Sequence, residues 1–255
     1  MAREPRSRWQ SWISLLGWGA VVLSTTVAGR KLYSFALTSP HFRLEPAARD
    51  VLTITGAVYA PRKKIAAVFA EDFGKSSFAV SLAERRRRLL AIDWVEDAVV
   101  SRVWPSRLVV HVTERKPVAF VHIRGRSRVL LIDAHGVLLE RPPQARFAFP
   151  VLRGVSEEQT ERERKVRVAA MLALLEDLGP FAKDVSEVDV TAIDNLKVVV
   201  TMENQPLELM LGDANYAARY QNFLNHYPEI RKRTATAAGF DLRLDDRITA
   251  MERVP

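Results

Sequence analysis

The side chains that carry chemistry are scattered along this chain, not gathered. Its five histidines are His41, His111, His122, His135 and His226, and no two are four apart, the spacing that puts two imidazoles on one helix face for zinc. No cysteine is present, which excludes disulfides, thiolate metal sites and cysteine nucleophiles. Neither a glycine-rich phosphate loop nor a nucleophile-elbow pattern occurs. His135 beside Gly136 reads as a turn. Asp245 and Asp246 would point to opposite faces of a strand, so they also read as a turn. The densest charge run is Arg85 to Arg88. Four consecutive helical residues cover all sides of a helix, and no aromatics interleave for base stacking. The run reads as a solvated helix whose arginine stems cover apolar surface. These patterns predict no enzyme, cofactor, metal site or nucleic-acid partner.

Composition agrees with that reading. The chain has 255 residues, 48% of them hydrophobic, and a formal charge of +8. Such a charge suits an acidic partner, but its 38 basic residues are spread along the chain. Between Arg8 and Arg30 the 21 residues Trp9 to Gly29 carry no charge; twelve are apolar, three are Gly and six are uncharged polar. About 20 mostly apolar residues suffice to span a bilayer, so this segment predicts a transmembrane helix at 9–29. Trp9 and Trp12 at one end, and Tyr33 and Phe35 past the other, suit interfacial positions. A cleavable signal peptide is the rival, with Thr26-Val27-Ala28 a poor cleavage site. Lys and Arg counts on the two sides nearly tie, so charge barely favours a cytoplasmic N-terminus. Ala20, Ser24 and Ala28 form a small-residue stripe on which another membrane helix would pack closely.

The elements that follow come in two groups. The first reads strand, helix, helix, strand, strand. Val51 to Thr55 is β-rich, Pro61 opens a helix carrying Ile65, Val68 and Phe69, and Leu82 to Ile92 forms a second. Arg62, Lys63 and Lys64 oppose the dipole of that first helix. Two β-rich runs, Ala98 to Val103 and Leu108 to Thr113, flank Pro105-Ser106 as a hairpin. The second group is richer in strands: Val118 to Ile123, Val129 to Asp133, Val137 to Leu139, Leu196 to Met202, Leu207 to Leu211, Phe240 to Leu244 and Ile248 to Met251. One helix runs from about Thr160 to Leu178, with Thr160 and Glu163 at capping-box spacing. A last one sets Tyr216, Tyr220, Phe223, Leu224 and Tyr227 on one face.

The stretch Trp94-Val95-Glu96-Asp97-Ala98, through Arg102-Val103-Trp104-Pro105, to Glu114-Arg115-Lys116-Pro117-Val118-Ala119 resembles a signature of the FtsQ/DivIB family of bacterial division proteins. Leu131-Ile132-Asp133-Ala134-His135-Gly136, Phe149-Pro150-Val151-Leu152-Arg153-Gly154, Leu211-Gly212 and Asp241-Leu242-Arg243 continue the likeness in order. The resemblance implies an α+β chain. Its parts are a cytoplasmic tail (1–8), a single N-terminal transmembrane helix (9–29), a juxtamembrane linker (30–43), a POTRA domain of β-α-α-β-β order (44–117), and a mostly antiparallel β domain with two flanking helices (118–255). It also implies a non-enzymatic divisome scaffold in the inner membrane at the septum, with its bulk extracytoplasmic. The implied partners are FtsB (DivIC)-like and FtsL-like bitopic proteins, and through them the septal peptidoglycan synthase complex.

In that family the partner-binding strand matches Arg243, Leu244, Asp246, Arg247, Ile248, Thr249 and Ala250. Leu244 stands where many members have an aromatic, and Arg247 where they have small residues. Physically, a strand last in its sheet presents unpaired backbone groups and accepts another chain's strand. The alternative is an ordinary edge blunted by Asp246, Arg247 and Glu252. Trp104-Pro105 is either an exposed contact or packed under its own turn. The rival function is a POTRA-containing assembly factor for outer-membrane proteins, which would carry a C-terminal membrane barrel.

Overall fold

A computed structural model describes residues 8–48, 50–123, 129–234, 237–244 and 246–251, with backbone alone over 8–16. Of the expected tail only Arg8 falls within them; the side chains of Trp9 and Trp12, together with Asp245 and Glu252, lie outside. The first element, α1, is a 31-residue helix from Arg8 to Thr38. It covers the segment expected to span and continues through much of the expected linker. Among the described residues, no helix is long and apolar enough to cross a membrane. Three apolar residues of the expected transmembrane helix at 9–29, Ile13, Leu15 and Leu16, lie in the part of α1 described by backbone alone. Ala20, Ser24 and Ala28 are all exposed on it.

The chain divides into two compact units, one ending at Glu114 and one beginning at Arg115. In the first, β1 (Leu52–Thr55), α2 (Arg62–Ala67), α3 (Leu82–Leu90), β2 (Val95–Val103) and β3 (Arg107–Glu114) keep the expected order. The sheet order is β1-β3-β2, with β1 parallel and β2 antiparallel to β3. Pro61 caps α2 instead of opening it. The helix is shorter than its apolar spacing suggests, and a 3₁₀ turn at Ala70–Asp72 follows it. Its basic first turn has an acidic counterpart from outside the helix. Glu114 Oε1 accepts the N–H groups of Val58, Tyr59 and Ala60 at 2.8, 2.7 and 2.6 Å, just ahead of that turn.

The arginine run departs from its expectation as a solvated helix. Ser81 caps α3 by accepting from Glu84 N–H. Arg85 is only 7% exposed and forks onto Asp72, itself 2% exposed, through Nε–Oδ2 at 2.6 Å and Nη2–Oδ1 at 2.7 Å. Asp72 is the largest source of the upward shift in the Arg85 guanidinium. Burying one charge without the other is far costlier than burying both, so this pair fixes α3 over the turn at Ala70–Asp72. Arg87 and Arg88 stay outside, paired with Glu84.

The second unit holds a nine-stranded sheet of order β12-β11-β10-β9-β8-β7-β4-β5-β6. Its strands are β4 (Pro117–His122), β5 (Val129–Asp133), β6 (Leu138–Leu139), β7 (Val151–Arg153), β8 (Val185–Asp189), β9 (Leu196–Met202), β10 (Gln205–Gly212), β11 (Gly239–Asp241) and β12 (Thr249–Met251). Neighbours run antiparallel except at β10–β11, β4–β7 and β7–β8. Helices α4 (Glu161–Leu178) and α5 (Tyr216–Arg233) pack on it, α4 with the expected Thr160/Glu163 capping box. Val168, Met171, Leu174 and Leu178 of α4 meet Tyr220 and Phe223 of α5 and the inward residues of the central strands in one apolar core. Two motif glycines have a steric reason. Gly136 at φ 86° and Gly154 at φ 90° would each drive a Cβ within 2.6 Å of backbone N of Lys165 and Thr191 respectively. Among the described residues the sheet is open, ending at β6 and β12 with strands of two to eight residues. That form does not suit the rival barrel architecture, whose strands run to about ten residues and close on one another.

Candidate partner-binding edge

The terminal strand of this sheet is built from the C-terminal segment. Phe240 and Leu242 are buried as the alternation predicts, but Leu244 is 52% exposed and β11 ends at Asp241. The strand stops because Arg243 turns back. Its backbone N–H and Nε reach Asp241 Oδ1 at 3.1 and 2.9 Å, and Nη2 reaches Oδ2 at 2.7 Å. This side-chain bond from Arg243 is the main cause that holds the Asp241 carboxyl below its usual range. Leu242 N–H still reaches Met210 O at 2.9 Å, which anchors the corner to β10. The chain then returns through Asp246 and Arg247, an exposed ion pair at 3.8 Å. Ile248 re-enters, half-buried against the core.

β12 pairs antiparallel with β11 in the register Gly239↔Met251, Phe240↔Ala250 and Asp241↔Thr249. It is the last strand on that side among the described residues. Ala238 N–H donates to Met251 O at 2.9 Å, so the backbone polar groups of Met251 face β11. The polar groups of successive strand residues point to alternate sides, which turns those of Ala250 outward. Side chains follow the other alternation: Ile248 and Ala250 pack on the core and Thr249 faces out.

Two shallow grooves run beside this edge. One, of about 330 Å³, lies between Asp246, Arg247 and Ile248 and the α5 residues Asn222, His226, Glu229 and Arg233. The other, of about 210 Å³, joins Leu242, Leu244 and Ile248 to Ala218, Arg219 and Asn222. Of the seven sequence-predicted residues, Leu244, Asp246, Arg247 and Ile248 line the grooves. Thr249 and Ala250 form the strand, and Arg243 works inward as the corner clamp. The α5 wall was not predicted. Residues 222, 226, 229 and 233 recur at helical spacing beside the apolar stripe, a signal present in the sequence.

At the other turn singled out in the sequence, Trp104 is 70% exposed yet packs edge-on to Phe42 and Phe78. His135 and Gly136 do form a turn. Asp133, 2% exposed, accepts the N–H groups of His135 and Val137 and bonds Arg115 at 3.0 Å. Among the described residues no group of three or more His, Cys, Asp or Glu is placed to hold a metal.

Comparison with known proteins finds two adjoining matches. Residues 51–115 match the POTRA domain, FtsQ-type, and residues 121–243 match the family described as cell division protein FtsQ/DivIB, C-terminal. The second match ends at Arg243, ahead of β12. The chain is 37% identical to cell division protein FtsQ of Koribacter versatilis over 223 residues, 85% of this chain and 63% of that one. It is 31% identical to the FtsQ of Actinobacillus pleuropneumoniae over 159 residues, 61% and 63% of the two chains. With the FtsQ of Shewanella oneidensis it shares 25% over 246 residues, 96% and 87%. The first two alignments thus span less than two thirds of those relatives' own lengths.

Proposed function

Because the chain belongs to the FtsQ/DivIB family of cell division proteins, we propose that it is a non-enzymatic divisome scaffold which receives a partner's β-strand along β12. The observation that carries this reading is the terminal place of β12 in the nine-stranded sheet among the described residues, where strand alternation turns the polar groups of Ala250 away from β11. A strand laid there would gain backbone hydrogen bonds for affinity. Its side chains would enter the grooves against α5, which Arg219, Arg233 and Arg247 line together with Glu229 and Asp246. The partners proposed are the FtsB (DivIC)-like and FtsL-like proteins, with septal peptidoglycan synthesis as the process served.

The same reading makes α1 a single-pass tether in the inner membrane, with the N-terminus cytoplasmic and the two units outside. Its moderate hydropathy is offset locally. Ser24, Thr25 and Thr26 donate their hydroxyls to the carbonyls of Val21, Val21 and Val22 at 2.9, 2.9 and 2.7 Å. Those bonds remove three unsatisfied donors from an apolar medium. Trp18, Val21, Val22, Leu23 and Val27 all lie exposed on the helix, as lipid-facing side chains would. Ala20, Ser24 and Ala28 then offer a face for a partner's membrane helix.

The test is co-purification of the FtsB-like partner with the full chain in detergent. Thr249→Glu and Ala250→Pro are expected to abolish it while near-UV circular dichroism is unchanged. Retained binding by both variants would remove β12 from the interface. A reporter fused after residue 255 should be active only outside the cytoplasm; activity only inside would end the topology reading.

A further inference from the structure

We propose that the β2–β3 turn is a second lipid contact. Trp104, with Phe42 beneath it, lies in the headgroup layer of the bilayer that α1 enters, and holds the first unit against the lipid surface. This rests on the tether reading of α1. The turn is bound to the end of that helix by a chain of rings: Phe35 on α1 meets Phe42 at 6.5 Å, and Phe42 meets Trp104 at 5.7 Å, both edge-on. Phe78 closes the cluster at 5.0 Å from Phe42 and 5.3 Å from Trp104. Polar bonds fix the same junction. Ser76 Oγ donates to Ala36 O at 2.7 Å, Ser77 Oγ to Pro105 O at 3.2 Å, and Arg102 Nε to Ser77 O at 2.7 Å.

The depth follows from helix arithmetic. At about 1.5 Å per residue, Trp9 to Gly29 measure roughly 30 Å, the thickness of a hydrocarbon core. Phe35 stands about 9 Å farther along the helix, in the headgroup layer, and Trp104 is two ring contacts away. Aromatic surface is left open here: Tyr33, Phe35 and Trp104 are all exposed despite the cluster that Phe42 and Phe78 build. Exposed cations accompany it, Arg30 and Lys31 on α1 and Arg43, Lys75 and Arg107 on the segments that meet at Ser76 and Trp104, with Glu45 as the acidic exception. Tryptophan with flanking Lys and Arg is the composition that an anionic lipid interface favours. Continuity with α1 selects a bilayer as the occupant over a soluble protein.

The test uses the full chain in vesicles of phosphatidylethanolamine and phosphatidylglycerol. One form keeps Trp104 as its single tryptophan, the other keeps Trp18, with the remaining tryptophans changed to Phe. Trp104 is expected to lose emission to lipids brominated near the headgroup and to resist iodide in the water, while Trp18 loses emission to deeply brominated lipids. If Trp18 behaves so but iodide quenches Trp104, the turn is free in water, and the inference falls while the tether stands. If Trp104 resists both quenchers, protein covers it and the inference falls. If no brominated lipid quenches Trp18, the tether reading fails and takes the inference with it. Because the chain lacks cysteine, a nitroxide on Ser106→Cys gives a second reading that keeps all the tryptophans. Its collisions with a water-soluble nickel chelate, relative to those with oxygen, should be fewer than for a nitroxide on the exposed Asp194→Cys of the second unit, and an equal ratio would overturn the contact.

Discussion

Two strand edges in this molecule solve opposite problems. β2, nine residues long, is an outer strand of the first unit's sheet, and such a length would be an open template for aggregation. It is blunted. Arg86 on α3 donates Nε to Ala98 O at 2.9 Å and pairs through Nη2 with Asp97 at 2.6 Å, beside an irregularity in the ladder between Val95 and Asp97. β12, only three residues long, ends the second unit's sheet with the outward groups of Ala250 next to grooves that α5 lines. The contrast teaches that length does not make an edge receptive. What matters is whether the fold spends its own side chains on the edge's backbone.

Breaking the support of the blunted edge should have the largest effect. Asp72→Asn leaves the buried Arg85 with only the exposed Glu71, at 3.7 Å, as countercharge, at a cost of up to about 3–5 kcal/mol, and frees α3, which carries the Arg86 plug. Chemical denaturation should show the first unit unfolding early; an unchanged midpoint would deny that the pair organises it. Next, Ala250→Pro removes an outward donor at β12, and partner affinity should fall at least tenfold, about 1.4 kcal/mol, with the melting temperature within a few degrees of the parent. A larger loss of stability than of binding would mean that the edge faces its own sheet. Smaller still, Arg86→Ala with Asp97→Ala deletes an exposed pair that solvent screens. It should leave stability nearly intact but induce concentration-dependent association by sedimentation, because Ala98 O becomes available. The smallest effect concerns pH. Asp241 titrates below its ordinary value because of Arg243, so it contributes stability above the unfolded carboxylate range and loses it as pH falls through the lowered folded value. Acidification should loosen the corner before β12, and Asp241→Asn should flatten that dependence.

The sequence carried the order of elements because its local signals agree with the fold. The Thr160/Glu163 cap, the alternation in Leu196 to Met202 and the turn at His135-Gly136 all state locally what the fold requires. Other features depend on partners distant in sequence. Arg85 looked solvated because Asp72 lies 13 residues away on another turn. The basic start of α2 looked wrong because Glu114 arrives from β3. β7, three residues in the middle of the sheet, is too short to show any period. At the candidate edge, the strand residues were legible from resemblance and alternation, whereas the α5 wall required knowing which helix lies beside which strand.

Amide hydrogen exchange at Ala250, with and without the FtsB-like partner, tests the central claim most directly. The account predicts that Ala250 exchanges fast in the free chain and slows sharply when the partner is added, while the amides of β2 keep their rates. A partner that binds and leaves the exchange at Ala250 unchanged would contradict it.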